Sequence, residues 1–331
     1  MANAKKSTSK RSRSAKKMIP AVRYLRYELT NSGTVNTETS HYIDLAKDLS
    51  AVNRRLMRQG RRYHVKRITI VSKNTPVVGA VTDPSTGATV NQGGRVSFST
   101  IPESWTSQGA WKRGFETWNR MNADALQQTA GDLHSTWADF KIYLSNEMRT
   151  GNVLAPLDNG GNAVAVGEWQ YTQLTTPDGT TGADNFYLHM LGDHSGGAGS
   201  RGSVGLIKSF GESRSTVNDF SPNVPGDAAD DPLVNVFDYG TSIDEVIDRV
   251  TTDNDTPPYE TDNYPGDDAN MPKPLVVQDT ILVDGKSTVG GFEAMCGLVE
   301  IEASSPVQND IYSVLVELAP GKYRGIKADV I

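Results

Sequence analysis

The sequence predicts an all-β protein: a single eight-stranded jelly roll, a form of β-sandwich, with short helical insertions and a disordered basic N-terminal arm. Short segments with a two-residue apolar period recur between turns rich in glycine, proline and aspartate, and the chain holds 31 Gly and 16 Pro. Only two stretches show helical spacing, whereas a parallel α/β sheet needs a helix after nearly every strand. No internal repeat is evident.

The ordered region begins near Val22, where a two-residue apolar period over residues 22–30 predicts a strand. A helix is expected next, over about residues 44–59, with Gly60 as its left-handed cap. Its apolar stripe comprises Leu45, Leu49, Val52 and Leu56, and its last turn holds Arg54, Arg55 and Arg58, which complement the helix dipole. Arg61 and Arg62 follow, and the five arginines predict either an extension of a basic inner surface or a capped helix end with subunit salt bridges.

Trp111, Phe115 and Trp118 recur at helical spacing and predict a second helix over about residues 108–125. An apolar stripe of this kind faces the core more often than it stacks on bases, and Trp105, Trp137 and Trp169 are expected in the core or in subunit contacts. Further strands are expected at residues 63–71, 95–101, 136–144, 163–174, 185–191, 204–210, 274–283, 298–303 and 311–318. In the strand at 136–144, Asp139 and Lys141 are expected on the face opposite Phe140.

The two signs of charge occupy different parts of the chain. Residues 1–73 hold 18 Lys+Arg and 4 Asp+Glu, a balance of +14, and the remaining residues hold 15 and 35, a balance of −20. Residues 227–268 contain thirteen acids and one base, Arg249. We therefore divide the chain into a basic arm at 1–20 and a domain at 21–331 with an acidic, loop-rich insertion near 211–272.

Several protein classes are disfavoured. One cysteine, Cys296, excludes a disulfide scaffold and a multi-cysteine metal site. No apolar run reaches the 18 residues that a membrane helix needs, and the charged first twenty residues are unlike a signal peptide. The chain is therefore expected to have no membrane association.

Motifs for catalysis or cofactors are incomplete. Ser195 follows Gly192-Asp193-His194, but no pattern supplies its general base and orienting carboxylate. Gly197, Gly199 and Gly202 match a dinucleotide-binding spacing, yet the residues after them predict a strand instead of the required helix. His189 and His194 are too loosely placed for a zinc site, and the acidic stretch lacks the spacing of a calcium-binding EF-hand loop. We predict no enzymatic activity, no cofactor and no metal.

The basic arm carries the clearest functional signal. Its seven cations between residues 5 and 17 are separated by Ser, Thr and Ala, with no acid to pair them. Such a segment cannot bury enough apolar surface to fold, and it neutralises phosphates by releasing counterions. Binding is expected to be sequence-independent and salt-dependent; a solubilising tail or a bipartite nuclear localisation signal is the alternative. The predicted nucleic-acid-binding residues are Lys5, Lys6, Lys10, Arg11, Arg13, Lys16, Lys17, Arg23 and Arg26.

Four blocks of sequence resemble those of a known family. They are YIDLAKDLSAVNRRLMRQG at 42–60, AWKRGF at 110–115 with Trp118, TWADFK at 136–141, and GGF at 290–292 through CGL at 296–298 with VLVEL at 314–318. In this order they resemble blocks of the capsid proteins of small circular single-stranded DNA viruses that encode a replication initiator. The likeness extends from about residue 42 to the C-terminus.

The resemblance implies a single jelly roll, many copies of which form a closed icosahedral shell, with the basic N-terminus, here Lys5 to Lys17, facing the packaged single-stranded DNA. It implies a virion protein that enters the host nucleus through the import machinery and assembles there. The acidic stretch has no counterpart in the family, and electrostatics predicts that it faces outward. Three alternatives stay open: a jelly-roll capsid of a positive-strand RNA virus, a non-viral nucleic-acid chaperone, and a hydrolase or carbohydrate-binding β-sandwich.

Overall fold

The computed structural model describes residues 21–73, 81–82, 89–90, 93–128, 139–177, 183–196, 201–211 and 274–331. The predicted arm, residues 1–20, lies outside the described residues, as does the predicted acidic insertion after Gly211. In chain order the elements are β1 (Tyr24–Thr30), β2 (Thr39–Asp44), α1 (Leu45–Asn53), β3 (Arg61–Ser72), β4 (Val81–Thr82), β5 (Thr89–Val90), β6 (Arg95–Thr100), α2 (Trp105–Gln128), β7 (Tyr143–Ser145), α3 (Asn146–Thr150), β8 (Gln173–Pro177), β9 (Ala183–Leu191), β10 (Ser203–Gly205), β11 (Leu275–Ile281), β12 (Lys286–Val289), β13 (Phe292–Met295), β14 (Leu298–Ser304), β15 (Ile311–Leu318), β16 (Pro320–Gly321), β17 (Gly325–Ile326) and β18 (Ala328–Val330).

Two antiparallel sheets form the main body. In the first, β1 pairs with β15, β15 with β3, and β3 also with β12, β13 and β18. In the second, the order is β11-β6-β14-β2, and every neighbouring pair is antiparallel. The prediction of an all-β sandwich is therefore confirmed.

The two sheets share one hydrophobic core. Leu25 and Tyr27 of β1 alternate with exposed or half-buried residues, as a strand with one covered face requires. They join Ile70 of β3 with Phe98 and Ile301 of the second sheet in a single buried cluster. Burial of such side chains stabilises the fold by roughly 1.5–3 kcal/mol each.

A second apolar cluster is built mainly from the chain between β6 and β11. There β9 pairs in parallel with β7 and β10 and antiparallel with β8. The Trp111 ring stacks on Phe115 at 5.3 Å between centroids, and Trp118 lies 6.0 Å from Phe140. The prediction that the stripe of Trp111, Phe115 and Trp118 faces the core is confirmed, because Trp111 is buried and the other two rings pack against the same cluster.

Several local predictions were wrong. Helix α1 ends at Asn53, and the left-handed residue after it is Arg54 at φ 51°, six residues before the expected Gly60. Of the predicted strand 136–144, only Tyr143–Ser145 forms within the described residues, and Asp139 and Lys141 are buried, as is Phe140 between them. Sequence alternation fails there because the polar side chains also have partners: Lys141 lies over the Trp169 ring and Asp139 pairs with Arg58, whereas Phe140 joins the second apolar cluster.

The predicted strand at 204–210 is also mostly wrong, since β10 ends at Gly205 and residues 206–211 are helical. Only Gln173–Pro177 forms a strand where 163–174 was expected. Trp105 is 46% exposed and so does not lie in the core, which leaves its predicted subunit contact as a prediction, and Trp137 lies outside the described residues. The strands at 185–191, 274–283, 298–303 and 311–318 are confirmed with shifts of a few residues at most.

Candidate nucleic-acid interface

The described chain begins beside the end of α1. The Val22 N–H donates to Asn53 Oδ1 at 2.8 Å, and the Asn53 amide donates back to the Val22 carbonyl at 3.0 Å. The Leu318 N–H donates to the Arg23 carbonyl at 2.9 Å. These bonds fix where residues 1–20, which include Lys5 to Lys17, join the domain.

The two predicted binding residues within the described chain have different surroundings. Arg26 lies on the face of β1 that turns away from the core and pairs with Glu28 at 2.7 Å. Lys73 pairs with the same carboxylate at 2.7 Å, and hydrogen bonding to Lys73 and Arg26 holds the pKa of Glu28 below its ordinary value. Arg23 has no carboxylate partner among the described residues. Arg26 is therefore largely neutralised and Arg23 is not.

The strongest basic feature near the start of the described chain is the segment 54–62, which comprises the loop after α1 and the first two residues of β3 and which we call the arginine loop. Arg54, Arg55 and Arg58 are exposed. Arg58 lies 3.3 Å from Asp139, and Arg62 lies 3.7 Å from Glu103. Arg54, Arg55 and Arg61 have no carboxylate partner among the described residues. Of the five arginines, only Arg54 caps the helix; Arg55 and Arg58 lie in the loop after it, and Arg61 and Arg62 begin β3. The extension of a basic inner surface and the subunit salt bridges stay predictions.

A second segment, 320–327, completes the surface. The Arg61 guanidinium lies over the Tyr323 ring, 3.7 Å from its centroid, and the Arg58 N–H donates to the Tyr323 hydroxyl at 3.0 Å. Arg324 donates to the Leu56 carbonyl. The loop and this segment thus form one basic surface, whose cations are Arg54, Arg55, Arg58, Arg61, Lys322, Arg324 and Lys327.

Sequence reasoning missed Lys322, Arg324 and Lys327. They are spaced among uncharged residues near the C-terminus, and no local pattern there differs from an ordinary polar turn. Only the pairing of β18 with the start of β3 brings the segment next to the arginine loop, about 265 residues away in sequence.

Buried hydrogen bonds fix the inner side of the arginine loop to the domain. The Gln59 amide donates to Asp44 Oδ2 at 2.7 Å, and its oxygen accepts from the Ile142 N–H at 2.7 Å. Asp44 also caps α1, because its Oδ1 accepts from the Lys47 N–H at 3.0 Å, and its Oδ2 accepts from the Tyr171 hydroxyl at 3.2 Å. Burial raises the pKa of Asp44 in spite of these donors.

The opposite end of the sandwich carries acidic residues. Strand β14 pairs with Asp44 at its first residue and with Arg95 at its last, so about 20 Å separate the two ends. At that far end Arg95 is paired with Asp279 at 3.1 Å and with Glu38 at 3.5 Å, and Asp284 is exposed. Among the described residues, the surplus of cations without a carboxylate partner therefore lies at the end where the arm joins.

Residues of the incomplete enzyme and metal motifs take part in hydrogen bonds of the fold or are buried in it. The Ser195 N–H donates to the Ser203 carbonyl at 2.9 Å, and His194 Nδ1 accepts from the Gly205 N–H at 3.1 Å. His189 is buried, and this burial lowers its pKa to about 4, so the ring is neutral near pH 7. No group of three or more His, Cys, Asp or Glu side chains among the described residues could hold a metal ion.

The comparisons with known proteins found no matching family model, no similar curated protein and no similar solved structure. Within the described part of the chain, no helix is both long and apolar enough to cross a membrane.

Proposed function

We propose that this protein is a viral capsid protein, many copies of which assemble into an icosahedral shell that packages a single-stranded DNA genome through the basic arm. The protein would be the structural protein of the virion and would assemble in the host nucleus after uptake by the import machinery. The fold, the point where the described chain begins and the distribution of charge each support this proposal.

Strand order supports the finer assignment of a single eight-stranded jelly roll. The eight principal strands along the chain are β1, β2, β3, β6, β11, the β12–β13 pair, β14 and β15. The first sheet contains the first, eighth, third and sixth of these, and the second contains the fifth, fourth, seventh and second. Two interlocked Greek keys produce this order, which is the connectivity expected of a jelly roll.

Fold alone does not decide function, because jelly rolls also occur in lectins and cupins. The observation that carries the proposal is the basic surface beside Val22, where the arm enters the domain. An arm with seven cations and a folded surface with seven more would then act on the same polyanion. Neutralising phosphates in this way releases counterions and drives binding of any sequence.

Symmetric assembly would give this charge distribution a direct consequence for packaging. A closed shell has an interior and an exterior, so an end-to-end charge difference in each subunit becomes a radial one. Roughly sixty subunits would direct about 420 arm charges inward, an appreciable part of the charge of a small genome.

Sizing of the purified protein tests the proposal. We expect particles in the megadalton range by size-exclusion chromatography with light scattering, closed shells by electron microscopy, and enclosed nucleic acid protected from nucleases. Digestion of the extracted nucleic acid with deoxyribonuclease and ribonuclease then identifies the genome type; an RNA content would favour the positive-strand RNA virus alternative. A stable monomer or dimer at moderate salt would contradict the capsid and favour the chaperone.

A further inference from the structure

We infer that the folded domain has its own binding site for the phosphate backbone of single-stranded nucleic acid, formed by the basic surface and distinct from the arm. This inference deepens the proposed function and rests on it. Two arginines, Arg54 and Arg324, identify the site, because both occupy backbone positions that arginine does not favour.

Arg54 directly follows α1 in the left-handed conformation, at φ 51° and ψ 45°. Its N–H bonds back to the Ser50 carbonyl and closes the helix. Glycine or asparagine is the usual residue at such a position, because a larger side chain is strained when φ is positive. The Arg54 side chain is exposed and has no carboxylate partner among the described residues, so no ion pair within that part of the chain explains its presence.

Arg324 also has a left-handed backbone conformation, in this case in a hairpin loop. Tyr323 and Ile326 exchange backbone hydrogen bonds of 3.0 and 2.9 Å, which makes Arg324-Gly325 a two-residue hairpin loop. Both residues have positive φ, 51° and 94°, as in a type I′ turn, where Asn-Gly and Asp-Gly are preferred. The same chain uses the preferred Asp284-Gly285 in another two-residue loop of this kind, at the far end of the sandwich.

The two strained arginines belong to one surface. Arg324 donates to the carbonyl of Leu56 in the arginine loop, and the Tyr323 ring beside it lies under the Arg61 guanidinium. Backbone strain that persists on a surface, where packing does not impose it, is typical of functional positions. Planar guanidinium groups around an aromatic ring suit phosphates and unstacked bases, which are features of single-stranded nucleic acid.

The test compares two charge-matched variants of the full-length protein after removal of bound nucleic acid at high salt. The first is Arg54→Asn with Arg324→Asn at the basic surface. The control is Arg95→Gln with Lys286→Gln at the far end, which removes the same charge from other exposed positions. Binding of a fluorescent oligothymidylate is measured by anisotropy between about 50 and 300 mM salt, and the melting temperature of each protein is recorded.

We expect the asparagine variant to bind more weakly and to have a smaller slope of log K against log salt, by roughly 0.7 for each phosphate that the variant no longer neutralises. Its melting temperature should be unchanged or up to about 2 °C higher, because asparagine tolerates positive φ. The control should keep at least most of the wild-type slope. A binding site under selection for charge and not for stability produces this combination.

Three results would overturn the inference: an unchanged slope in the asparagine variant, an equal decrease in the control, or a lower melting temperature that accompanies the weaker binding, which would make the arginines structural. Sizing of the wild-type protein tests the capsid separately. If the wild-type protein forms no shells but the asparagine variant has a reduced salt slope, the proposed function is rejected and the binding site is supported. If shells form but the slope of the variant is unchanged, only the binding site is rejected.

Discussion

The Tyr27 hydroxyl donates a hydrogen bond of 2.6 Å to Asp48 Oδ2, and both side chains are buried between β1 and α1. The second carboxylate oxygen of Asp48 is also buried and has no hydrogen-bond partner among the described residues; Lys47 Nζ lies 3.8 Å from it. Burial, together with a smaller effect of the neighbouring Asp44, raises the pKa of Asp48 to about 8. Asp48 is therefore largely protonated near pH 7.

This proton makes stability depend on pH in a defined direction. In the unfolded chain Asp48 ionises near pH 4, so between about pH 4 and 8 the folded protein holds a proton that the unfolded chain has released. The free energy of unfolding should fall as pH rises through this window, by at most about 1.4 kcal/mol per pH unit, and then level off.

Asp48→Asn should remove this dependence, since asparagine can still accept from Tyr27 and has no charge to bury. We expect the variant to be less sensitive to pH and more stable than the wild type at pH 8.5, measured by urea unfolding at pH 5, 7 and 8.5. Asp44 also has a raised pKa, so a shallower slope will remain. Equal slopes for the two proteins would contradict a neutral Asp48.

Gln59 should be a key stabilising residue of the arginine loop. Gln59→Ala would leave Asp44 Oδ2 and the Ile142 N–H without their bonds to this side chain, both in a buried site. Asp44 Oδ2 keeps the hydrogen bond from the Tyr171 hydroxyl, whereas the Ile142 N–H loses its partner. At roughly 1–3 kcal/mol for one unsatisfied buried group, we expect a decrease of about 1–3 kcal/mol in the free energy of unfolding.

Gln173→Ala is the matched control for Gln59→Ala, because Gln173 is exposed on β8 and its replacement should cost less than about 0.5 kcal/mol. Denaturant unfolding of both variants measures the difference. Similar decreases for the two glutamines would show that the buried bonds contribute no more than an exposed side chain.

Deletion of Met1 to Lys17 should leave the two sheets intact, since no described residue of the core belongs to that segment. We expect an unchanged circular dichroism spectrum and melting temperature, empty or poorly filled shells, and a large reduction in co-purified nucleic acid, measured by the absorbance ratio at 260 and 280 nm. Packaging at the wild-type level would instead assign the main binding energy to the folded domain.

The sequence was most informative where one physical influence dominates. The period-two pattern at residues 311–318 predicts β15 to the residue, because one face of that strand meets the core and the other meets solvent. The pattern fails at Asp139 and Lys141, which are buried together with Phe140 because the polar side chains also have partners. It also fails at the end of α1, where Arg54 takes the conformation that favours glycine.

By itself, then, the sequence determined the β-rich architecture and the separation of basic from acidic segments, since alternation and charge are local properties of the chain. Tertiary structure alone decided that Arg324, close to the C-terminus, lies beside the arginine loop and the entry of the arm. That neighbourhood depends on β18 and β15 both pairing with β3, which joins residues more than 200 positions apart in a way that no local pattern encodes.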